Sequence, residues 1–492
     1  MSEKKQFLNN RYFLNRIFSH ENKDKLAICE CGNEITYREL ENQVLETAKH
    51  FKQLGIQKAD RILIEADQSI GFVVKYLALH YLGAVCLLYP VNSADFNADE
   101  IKERTNARYI EDFYKQKKEI FNPKSSDAFI TEENDLADIL FTSGTTGTKK
   151  GVMHCYSGIC QAVDNITSAV GLESKDTIII MLPLYHSNGL GTLRTCLCIG
   201  ATVVLVKGIS EIIKLKKLMS KYPCTGISCS PIITEWIIKT YKTRFEEIFG
   251  KLRYIEIGTA PLSPEKRKYI REYFKNQAIY INYGSTETPR AVYMDISKNL
   301  NDNSIGKVVG DYEFGIFDDK GNALKSGEIG KLGLKSKAKM TGYFNASEIT
   351  ENSLLNGYFL TGDLASADSE GLITLQGRIK DLIYVGGEKL YPSEIENEIN
   401  KLDDVSESVC VGISLNDNQE NQRVILFVQQ KEFGHTRTEY EIKEYVSQKV
   451  GKYKMPESVI FLEHIPRNEM GKIDRNLLRE MAKDYLKEKK EK

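Results

Sequence analysis

The sequence predicts a multidomain α/β protein, and three observations support this fold class. The chain has 492 residues, which is long enough for two or more domains with sizeable cores. Up to about residue 300, apolar strand-like runs alternate with helix-length periodic stretches, as in an α/β domain. The pattern then changes near residue 303 and again near residue 377, which indicates a β-rich subdomain and a separate C-terminal domain.

The first part of the chain predicts buried strands separated by helices. Residues 69–91 form the longest apolar run, but Lys75, His80 and a break at Gly83 interrupt it. We therefore predict a buried helix followed by a strand, and no membrane span. Strand-like runs occupy 61–65, 177–182, 201–206, 254–257 and 278–281. Helix-like periodicity occupies 210–221 and 264–276.

The later part of the chain has two further patterns. Residues 303–375 consist of short β-like runs split by Gly, Asn and Asp, which predicts a small β-rich subdomain. Beyond Gly377, a strand and a glycine-rich turn lead to a helix that begins at Pro392, a residue favoured in the first helical turn. A small α+β domain of roughly 110 residues is expected there, with strands at 408–413, 423–429 and 457–462 and a helix at 438–449.

Composition excludes several classes of protein. Hydrophobic residues make up 41% and charged residues 27% of the chain, as in ordinary globular proteins. The 67 basic and 68 acidic residues give a net charge of −1, which argues against nucleic acid as a partner. The ten cysteines show no Cys-x-x-Cys spacing, so a metal cluster is not expected. Free buried thiols suit a reducing compartment, and no apolar signal region opens the chain, so we expect a cytoplasmic protein.

The most informative segment is TSGTTGTKKG at residues 142–151, which follows the strand-like run 136–141. Its glycines let the backbone bring N–H groups close to an anion, and its hydroxyls add further donors. Lys149 and Lys150 add positive charge. The segment lacks the spacing of a Walker A loop. Phosphate binding is the functional interpretation, and a flexible surface loop is the alternative.

Six further segments follow this loop in order. They are LPLYHSNGL (182–190), EIGTAPLS (256–263), NYGSTETP (282–289), YFLTGDLA (358–365), GRIKDLIYVGGEKLYPSEIE (377–396) and PRNEMGKIDR (466–475). Together the seven segments resemble the signature segments of the ANL superfamily, which contains acyl-CoA synthetases, adenylation domains of peptide synthetases, and luciferases. The resemblance extends from residues 35–40 to the loop of Lys472.

The resemblance implies a fold and a domain arrangement. Residues 1–379 would form a large N-terminal adenylate-forming domain of sheets sandwiched by helices, with the β-rich subdomain at about 303–375. Residues 380–492 would form a small mobile α+β domain, with Lys380 at the hinge. Alternation of two domain orientations can assemble one site for two successive reactions.

The resemblance also implies a reaction, that of an AMP-forming acid–thiol ligase. A carboxylic acid attacks the α-phosphate of ATP, giving acyl-AMP and pyrophosphate, and a thiol then takes the acyl group. Coenzyme A is the expected thiol, and magnesium is the expected metal. The first alternative is an acyl-AMP ligase that loads the phosphopantetheine of a carrier protein. A weaker alternative is a non-catalytic nucleotide-binding member of the family.

By this resemblance, the glycine-rich loop binds the β- and γ-phosphates of ATP. Thr148 stands where the family usually has proline, so we expect a more mobile loop without loss of a donor. The matching residues are Thr142, Ser143, Gly144, Thr145, Thr146, Gly147 and Lys150.

The nucleoside and the α-phosphate are assigned to later segments. By resemblance, Tyr283 stacks on adenine between its neighbours Asn282 and Gly284, although a tyrosine alone is more often an ordinary core residue. Thr286 is expected to hydrogen-bond the α-phosphate, and Glu287 to hold magnesium, a hard cation that prefers carboxylate oxygens. The segment expected beside the adenine is Gly258, Thr259 and Ala260.

Two further residues match the positions that bind ribose in the family. Asp363 is expected to accept both ribose hydroxyls, because an ionised carboxylate can accept two O–H donors. Arg378 is expected to support the same sugar. The alternative for Asp363 is a turn residue, since Thr-Gly-Asp is common in turns.

The catalytic assignments also rest on the resemblance. Lys472 is expected to reach the reacting carboxylate and the α-phosphate during adenylation, although a lysine at such a position is otherwise a surface residue. His186 matches a gating aromatic residue between the acyl pocket and the thiol tunnel. Gly386 and Gly387 are expected to line that tunnel.

The acyl pocket is expected to draw on His186, Asn188, Gly189, Ser228, Gly258 and Arg290. Amino-acid-activating relatives usually carry an Asp near the His186 segment, and this chain has none, so the substrate is expected to be an acyl or aryl carboxylic acid without an α-amine. We hypothesise that Arg290 faces a polar or anionic substrate group, because a buried unpaired guanidinium is costly. The alternative is an arginine turned to solvent or salt-bridged at the pocket edge.

Overall fold

The structure, a computed structural model, divides into two compact units. The first unit comprises Met1–Phe314 and Gly333–Phe359, and the second comprises Gly315–Leu332 and Leu360–Lys492. The predicted domain boundary at Lys380 stays a prediction. The structure describes residues 12–30, 32–91, 96–115, 131–142, 149–300, 303–386, 388–414, 422–431, 436–467 and 473–491.

Helices and strands alternate along the described chain, as the sequence predicts. The helices are α1 (Tyr12–Phe18), α2 (Tyr37–Gln53), α3 (Ile70–Leu82), α4 (Ala98–Thr105), α5 (Ile110–Lys115), α6 (Tyr156–Val170), α7 (Ser187–Ile199), α8 (Leu215–Lys221), α9 (Pro231–Tyr241), α10 (Phe245–Phe249), α11 (Pro264–Tyr273), α12 (Ser347–Asn352), α13 (Pro392–Ile399), α14 (Glu439–Lys449) and α15 (Arg475–Glu491).

The strands are mostly short. They are β1 (Leu26–Glu30), β2 (Asn33–Thr36), β3 (Arg61–Glu65), β4 (Val85–Tyr89), β5 (Arg108–Tyr109), β6 (Leu136–Thr142), β7 (Lys150–Cys155), β8 (Thr177–Ile180), β9 (Thr202–Leu205), β10 (Gly226–Cys229), β11 (Tyr254–Ile257), β12 (Ala278–Tyr283), β13 (Val292–Asp295), β14 (Ser304–Val308), β15 (Glu313–Phe317), β16 (Gly330–Lys335), β17 (Gly342–Tyr343), β18 (Leu354–Leu355), β19 (Tyr358–Ala367), β20 (Ile373–Arg378), β21 (Ile383–Val385), β22 (Glu388–Leu390), β23 (Val405–Ile413), β24 (Arg423–Gln430) and β25 (Ser458–Leu462).

Two sheets organise the first unit. In one, neighbouring strands follow the order β14-β13-β12-β11-β10-β8-β9-β1-β2. The strands from β12 to β1 in this order pair in parallel, and the outer pairs are antiparallel. The other sheet has the order β17-β7-β6-β4-β3-β5, in which β6, β7 and β17 pair antiparallel.

Alternate residues of the parallel strands lie in different hydrophobic clusters. Ile178 and Ile180 of β8 belong to one cluster, and Ile179 between them belongs to another. Successive side chains of a strand point to opposite faces of a sheet, so both faces are buried. The predicted sandwich of a sheet between helices is confirmed.

The predicted helix and strand within residues 69–91 are also present. The Phe72 N–H donates to the Ser69 hydroxyl at 3.0 Å, which caps the start of α3. Gly83 ends the helix with a φ of 71°, a conformation that glycine adopts without strain, and β4 follows. The predicted helix at 210–221 differs, since it begins as the 3₁₀ helix Gly208–Lys214 and continues as α8. None of the described helices is both long and apolar enough to cross a membrane.

The second unit contains a small sheet, β23-β24-β25, with helices on both faces. Cys410 and Leu426 pack in a cluster with residues of α13 and α14. Val411 and Phe427 pack in a second cluster with residues of α15. The hairpin of β21 and β22 precedes α13. This arrangement confirms an α+β fold near the C-terminus.

Candidate active site

The predicted phosphate loop connects two paired strands. β6 ends at Thr142 and β7 begins at Lys150, and these two residues are partners in the antiparallel ladder. The Lys150 ammonium lies 5.1 Å from the centre of the Tyr343 ring, within range of a cation–π contact. Outside the described residues lie Ser143, Gly144, Thr145, Thr146 and Gly147, so their contacts with phosphate stay predictions.

A tight turn follows β12 and carries the predicted α-phosphate and magnesium residues. The Ser285 N–H donates to the Thr288 carbonyl at 3.2 Å, and the Thr288 N–H donates to the Ser285 hydroxyl at 3.2 Å. Residue 284 must be glycine, because a Cβ there would lie 2.5 Å from the backbone nitrogen of Arg290. Tyr283 is the last residue of β12 and is half-buried.

Three hydrogen bonds from β7 and the region of β17 fix Thr286 and Glu287. Nε2 of His154 lies 2.9 Å from the Thr286 carbonyl oxygen. The Tyr343 hydroxyl donates to Glu287 Oε1 at 2.8 Å, and the Met340 N–H donates to the Glu287 carbonyl at 2.8 Å. Sequence analysis missed all three partners, because no motif within the chain pairs them with residues 286 and 287.

Both side-chain donors in this set carry their protons near neutral pH. Burial, followed by the nearby positive charge of Arg194, lowers the pKa of His154 to about 4. A neutral imidazole has one N–H, and a carbonyl can only accept, so Nε2 carries the proton. Burial and the Glu287 carboxylate raise the pKa of the Tyr343 hydroxyl well above its usual value. The two contacts are therefore stable N–H and O–H donations.

The segment predicted to pass beside adenine directly follows β11. A Cβ on Gly258 would lie 2.6 Å from Asn188 Nδ2 and from Asn282 Oδ1, so a larger residue would displace these two hydrogen-bonded amides. Thr259 has a φ of 77°, which is uncommon and strained for a β-branched residue. Strained backbone of this kind clusters at functional sites. Ala260 follows Thr259, and its role stays a prediction.

Arg290 is buried and engaged by protein groups. It is 3% exposed, and its Nη1 lies 3.3 Å from Oε1 of Glu256, which is 2% exposed. Its Nε donates to Asn188 Oδ1 at 3.1 Å, and Nη2 donates to the Thr192 hydroxyl. We expected a substrate group to pair with Arg290 because a buried unpaired guanidinium is costly. That reason is wrong, because Glu256 already neutralises the guanidinium. The position of Arg290 in the acyl pocket stays a prediction.

Glu256 is the centre of this buried network, and sequence analysis did not identify it. Besides Arg290, its Oε1 accepts the Tyr293 hydroxyl at 2.6 Å and Asn282 Nδ2 at 2.9 Å. Asn188 Nδ2 in turn donates to Asn282 Oδ1 at 3.3 Å. A buried ion pair needs such additional hydrogen bonds to offset the loss of hydration.

The start of α7 brings several predicted pocket residues together. His186 immediately precedes the helix, and its ring centre lies 4.0 Å from that of Tyr185. A Cβ on Gly189 would lie 2.4 Å from the Pro183 carbonyl oxygen, so glycine allows the close packing of this turn. The Ser228 hydroxyl lies 3.2 Å from that of Thr192, one turn after Asn188. Asn188, Ser228 and Arg290 thus share one network with Gly258 beside it, and the role of His186 stays a prediction.

The predicted ribose residues form a pair in the second unit. Asp363 and Arg378 are partners in the antiparallel ladder of β19 and β20. Arg378 Nε lies 3.1 Å from Asp363 Oδ1, and the Arg378 side chain is 53% exposed. The structure therefore brings these two residues together, and their contact with ribose stays a prediction.

The remaining predicted residues of the second unit lie near its first hairpin. Lys380 belongs to the 3₁₀ turn Ile379–Asp381, and burial is the main cause that lowers the pKa of its ammonium. Gly386 has a φ of 59° in the turn between β21 and β22. Gly387 and Lys472 lie outside the described residues, so the tunnel and the catalytic lysine stay predictions.

Comparison with known proteins identifies the family. The profile of the family described as AMP-binding enzyme matches residues 18–111 and 94–344. The profile described as AMP-binding enzyme C-terminal domain matches residues 394–472. The chain belongs to the AMP-binding enzyme family.

Relatives of this AMP-binding enzyme match over nearly their whole length. The chain is 26% identical to the 2-succinylbenzoate–CoA ligase of Bacillus cereus (strain ATCC 14579), covering 94% of this chain and 96% of the relative. It is also 26% identical to that of Geobacillus sp. (strain WCH70), covering 93% and 95%. The crystal structure of ATP-bound MatB from Rhodopseudomonas palustris superposes with a TM-score of 0.86 at 25% identity, covering 97% of this chain and 99% of that one.

These similarities confirm the predicted ANL superfamily, its fold class, and an AMP-forming acid–thiol ligase as the kind of enzyme. The contribution of each individual residue stays a prediction.

Proposed function

We propose that this enzyme activates a carboxylic acid with ATP and transfers the resulting acyl group to coenzyme A. The observation that carries the proposal is the joint fixation of Thr286 and Glu287 by two paired strands, β7, which begins with Lys150, and β17. Thr286 is held through His154, and Glu287 through Tyr343. A phosphate-binding cation, a hydroxyl donor and a carboxylate are thus held by one framework, which suits a metal–triphosphate.

In the first half-reaction, a carboxylate oxygen of the acid attacks the α-phosphorus of ATP. The bond from the α-phosphorus to the bridging oxygen breaks, and pyrophosphate leaves with the electron pair. The Thr286 hydroxyl stabilises charge on the α-phosphate, and Lys150 neutralises the β- and γ-phosphates. Positioned donors of this kind supply much of the rate of phosphoryl and acyl transfer.

Glu287 is the proposed magnesium ligand, and its surroundings fit that role. Its Oε1 accepts the Tyr343 hydroxyl, while its Oε2 accepts no hydrogen bond from the described residues. Hard divalent cations prefer carboxylate oxygens and often take one or two such ligands alongside phosphates. When bound, magnesium would supply charge neutralisation on the triphosphate.

The nucleoside is assigned to residues at the ends of strands. Tyr283 would stack on adenine, flanked by Asn282 and Gly284. The strained backbone at Thr259, between Gly258 and Ala260, supports a functional role for that segment. The proposed ribose residues are Asp363 and Arg378.

The acyl group is assigned to the network around α7. Because Glu256 already neutralises Arg290, the network offers a substrate hydrogen-bonding atoms without net charge. A small acid whose remote end is uncharged therefore fits better than one that relies on Arg290 to neutralise a second carboxylate. Lys472 would assist adenylation, and His186 would separate the acyl group from the thiol path.

In the second half-reaction, the thiol sulfur attacks the acyl carbon and AMP leaves. Coenzyme A is favoured as the acceptor because the relatives matched over nearly full length are named as CoA ligases. Movement about Lys380 would bring Gly386 and Gly387 to the thiol path. A carrier-protein phosphopantetheine is the second candidate acceptor.

We place the enzyme in the cytoplasm. Nine cysteines of the described residues are buried and carry free thiols, as expected in a reducing compartment.

The acceptor is tested by supplying each thiol separately. The enzyme is incubated with ATP, magnesium and a panel of fatty, aryl, hydroxy and dicarboxylic acids, and thioesters are measured by mass spectrometry. We expect a thioester with coenzyme A for at least one acid. Thioester formation only on a phosphopantetheinylated carrier protein would replace coenzyme A as the acceptor and leave adenylation in place.

A further inference from the structure

Tyr343 lies between two charged groups of the proposed nucleotide site. Its hydroxyl donates to Glu287 Oε1 at 2.8 Å, and its ring lies under the Lys150 ammonium at 5.1 Å. The side chain is itself buried, being 7% exposed. One tyrosine therefore contacts a carboxylate through its edge and a lysine through its face.

The backbone fixes the tyrosine in this place. Tyr343 of β17 pairs with Val152 of β7 in the antiparallel ladder. Val152 lies two residues after Lys150 on β7. From the same region, the Met340 N–H holds the Glu287 carbonyl at 2.8 Å. Glu287 is thus held at both its main chain and its side chain, so its carboxylate has a defined orientation.

The two charged groups each contact Tyr343. Among the described residues, neither Lys150 nor Glu287 forms an ion pair. A lysine and a carboxylate that paired with each other would have to break that pair before binding a triphosphate or a cation. The neutral hydroxyl of Tyr343 contacts Glu287, and its neutral ring contacts Lys150. Neither contact neutralises the charge of the group it holds.

We propose that Tyr343 is a positioning residue that orients Glu287 for a divalent cation and keeps Lys150 from pairing with it. This inference rests on the proposed function, since it assigns the cation to Glu287 and the triphosphate to Lys150. Tyr343 acts through these two residues and does not itself contact the reacting atoms.

The test compares cation binding by variants that remove one or both contacts. Tyr343→Phe keeps the ring and removes only the hydroxyl. Tyr343→Leu removes both contacts. Tyr358→Phe is the matched control, because its hydroxyl donates at 3.3 Å to Glu313 and not to Glu287. Glu287→Gln is the reference for loss of the carboxylate charge.

Binding of Mn²⁺ is measured by electron paramagnetic resonance in the presence of α,β-methylene-ATP, with no acid and no thiol. We expect Tyr343→Phe to bind Mn²⁺ on the order of tenfold more weakly than wild type, because one charge-assisted hydrogen bond is lost. Affinity for the metal-free analogue should be unchanged in Tyr343→Phe and reduced in Tyr343→Leu. Tyr358→Phe should match wild type in both measurements.

Wild-type Mn²⁺ affinity in Tyr343→Phe would overturn the proposal, whatever the behaviour of Tyr343→Leu. Wild-type affinity in Glu287→Gln would overturn it as well, by removing Glu287 from the cation site. Failure of the proposed function is a separate result, namely absence of adenylation with every acid, because these binding measurements need neither acid nor thiol.

Discussion

Two carboxylate–guanidinium pairs among the site residues differ in their surroundings. Glu256 and Arg290 are 2% and 3% exposed, and the guanidinium also donates to Asn188 and Thr192. In the other pair, the Arg378 side chain is 53% exposed and contacts Asp363, whose side chain is only 11% exposed, through Nε at 3.1 Å. We call this the exposed pair because its guanidinium faces solvent. Both arginines were predicted as binding residues, Arg378 from its match to a family segment and Arg290 from its charge directly after one.

The difference in exposure indicates which of the two arginines is available to a ligand. In the buried pair, protein acceptors have replaced water around the guanidinium, so a ligand would have to displace them. In the exposed pair, water still surrounds most of the guanidinium, and a ligand can replace that water at little cost to folding. The buried pair therefore belongs to the framework, and the exposed pair can belong to the binding surface.

The largest effect is expected from breaking the buried pair. Arg290→Met leaves Glu256 buried without its cation, so the free energy of unfolding should fall by about 3–5 kcal/mol. Urea denaturation followed by circular dichroism measures the loss. The double variant Glu256→Gln with Arg290→Met removes both charges and should recover much of it. If Arg290→Met lowers the free energy of unfolding no more than a surface substitution does, the claim that Arg290 and Glu256 form a buried ion pair is contradicted.

The same variant also tests the acyl-pocket prediction. If Arg290 lines the pocket, Arg290→Met should change the relative kcat/KM values among the acids of the panel. An unchanged acid profile would remove Arg290 from the pocket and leave it with a framework role only.

A second effect concerns pH and the buried His154. Its pKa is lowered from 6.5 to about 4 in the folded state, so between these values the unfolded chain binds a proton that the folded chain does not. The free energy of unfolding should therefore fall as pH decreases from 6.5 to 4, by about 3 kcal/mol in total. His154→Gln should flatten the pH dependence in this window.

His464→Gln replaces an exposed histidine and is the matched control for that measurement. It should leave the slope between pH 4 and pH 6.5 as in wild type. Equal slopes in His154→Gln and wild type would show that His154 is not buried in neutral form.

A smaller effect on folding, and a larger one on binding, is expected at the exposed pair. Asp363→Asn removes the charge that should accept the ribose hydroxyls, so ATP should bind about ten- to a hundredfold more weakly. Isothermal titration calorimetry measures that affinity. The free energy of unfolding should fall by less than in Arg290→Met, because the guanidinium left without its partner is exposed to water. Unchanged ATP affinity together with a loss of stability as large as that of Arg290→Met would reverse the distinction between the two pairs.

The smallest effect is expected from Arg378→Lys, which keeps the positive charge and loses the planar group. The free energy of unfolding should change by less than about 1 kcal/mol, as is usual for exposed pairs. ATP affinity should decrease by a few-fold, on the order of what one lost directional hydrogen bond costs. A change in unfolding free energy comparable with that of Arg290→Met would make Arg378 a framework residue.

Local patterns in the sequence were sufficient to predict several strands and helices. The runs at 61–65 and 254–257 are strands with the predicted bounds, because their apolar residues are buried on both faces of a sheet. The helix at 210–221 was predicted as one α-helix, but its first half is 3₁₀. An apolar period does not distinguish these two helix types over so few residues.

Contacts between distant segments could not be predicted in the same way. Tyr343 and Glu287 are 56 residues apart, and Arg290 and Glu256 are 34 residues apart. Which segments meet depends on the order of strands in the sheets, and side-chain periodicity carries no information about that order. One motif contains Glu287 and ends directly before Arg290, but the partners of both residues had no local signal.

The central claim is that this enzyme forms an acyl-adenylate, and ATP–pyrophosphate exchange tests it most directly. Wild-type enzyme with labelled pyrophosphate, ATP, magnesium and each acid of the panel should incorporate label into ATP for at least one acid, with no thiol present. Lys472→Ala should lose most of that exchange while still binding ATP. No exchange by the wild type with any acid, despite measurable ATP binding, would contradict the account and favour a non-catalytic nucleotide-binding protein.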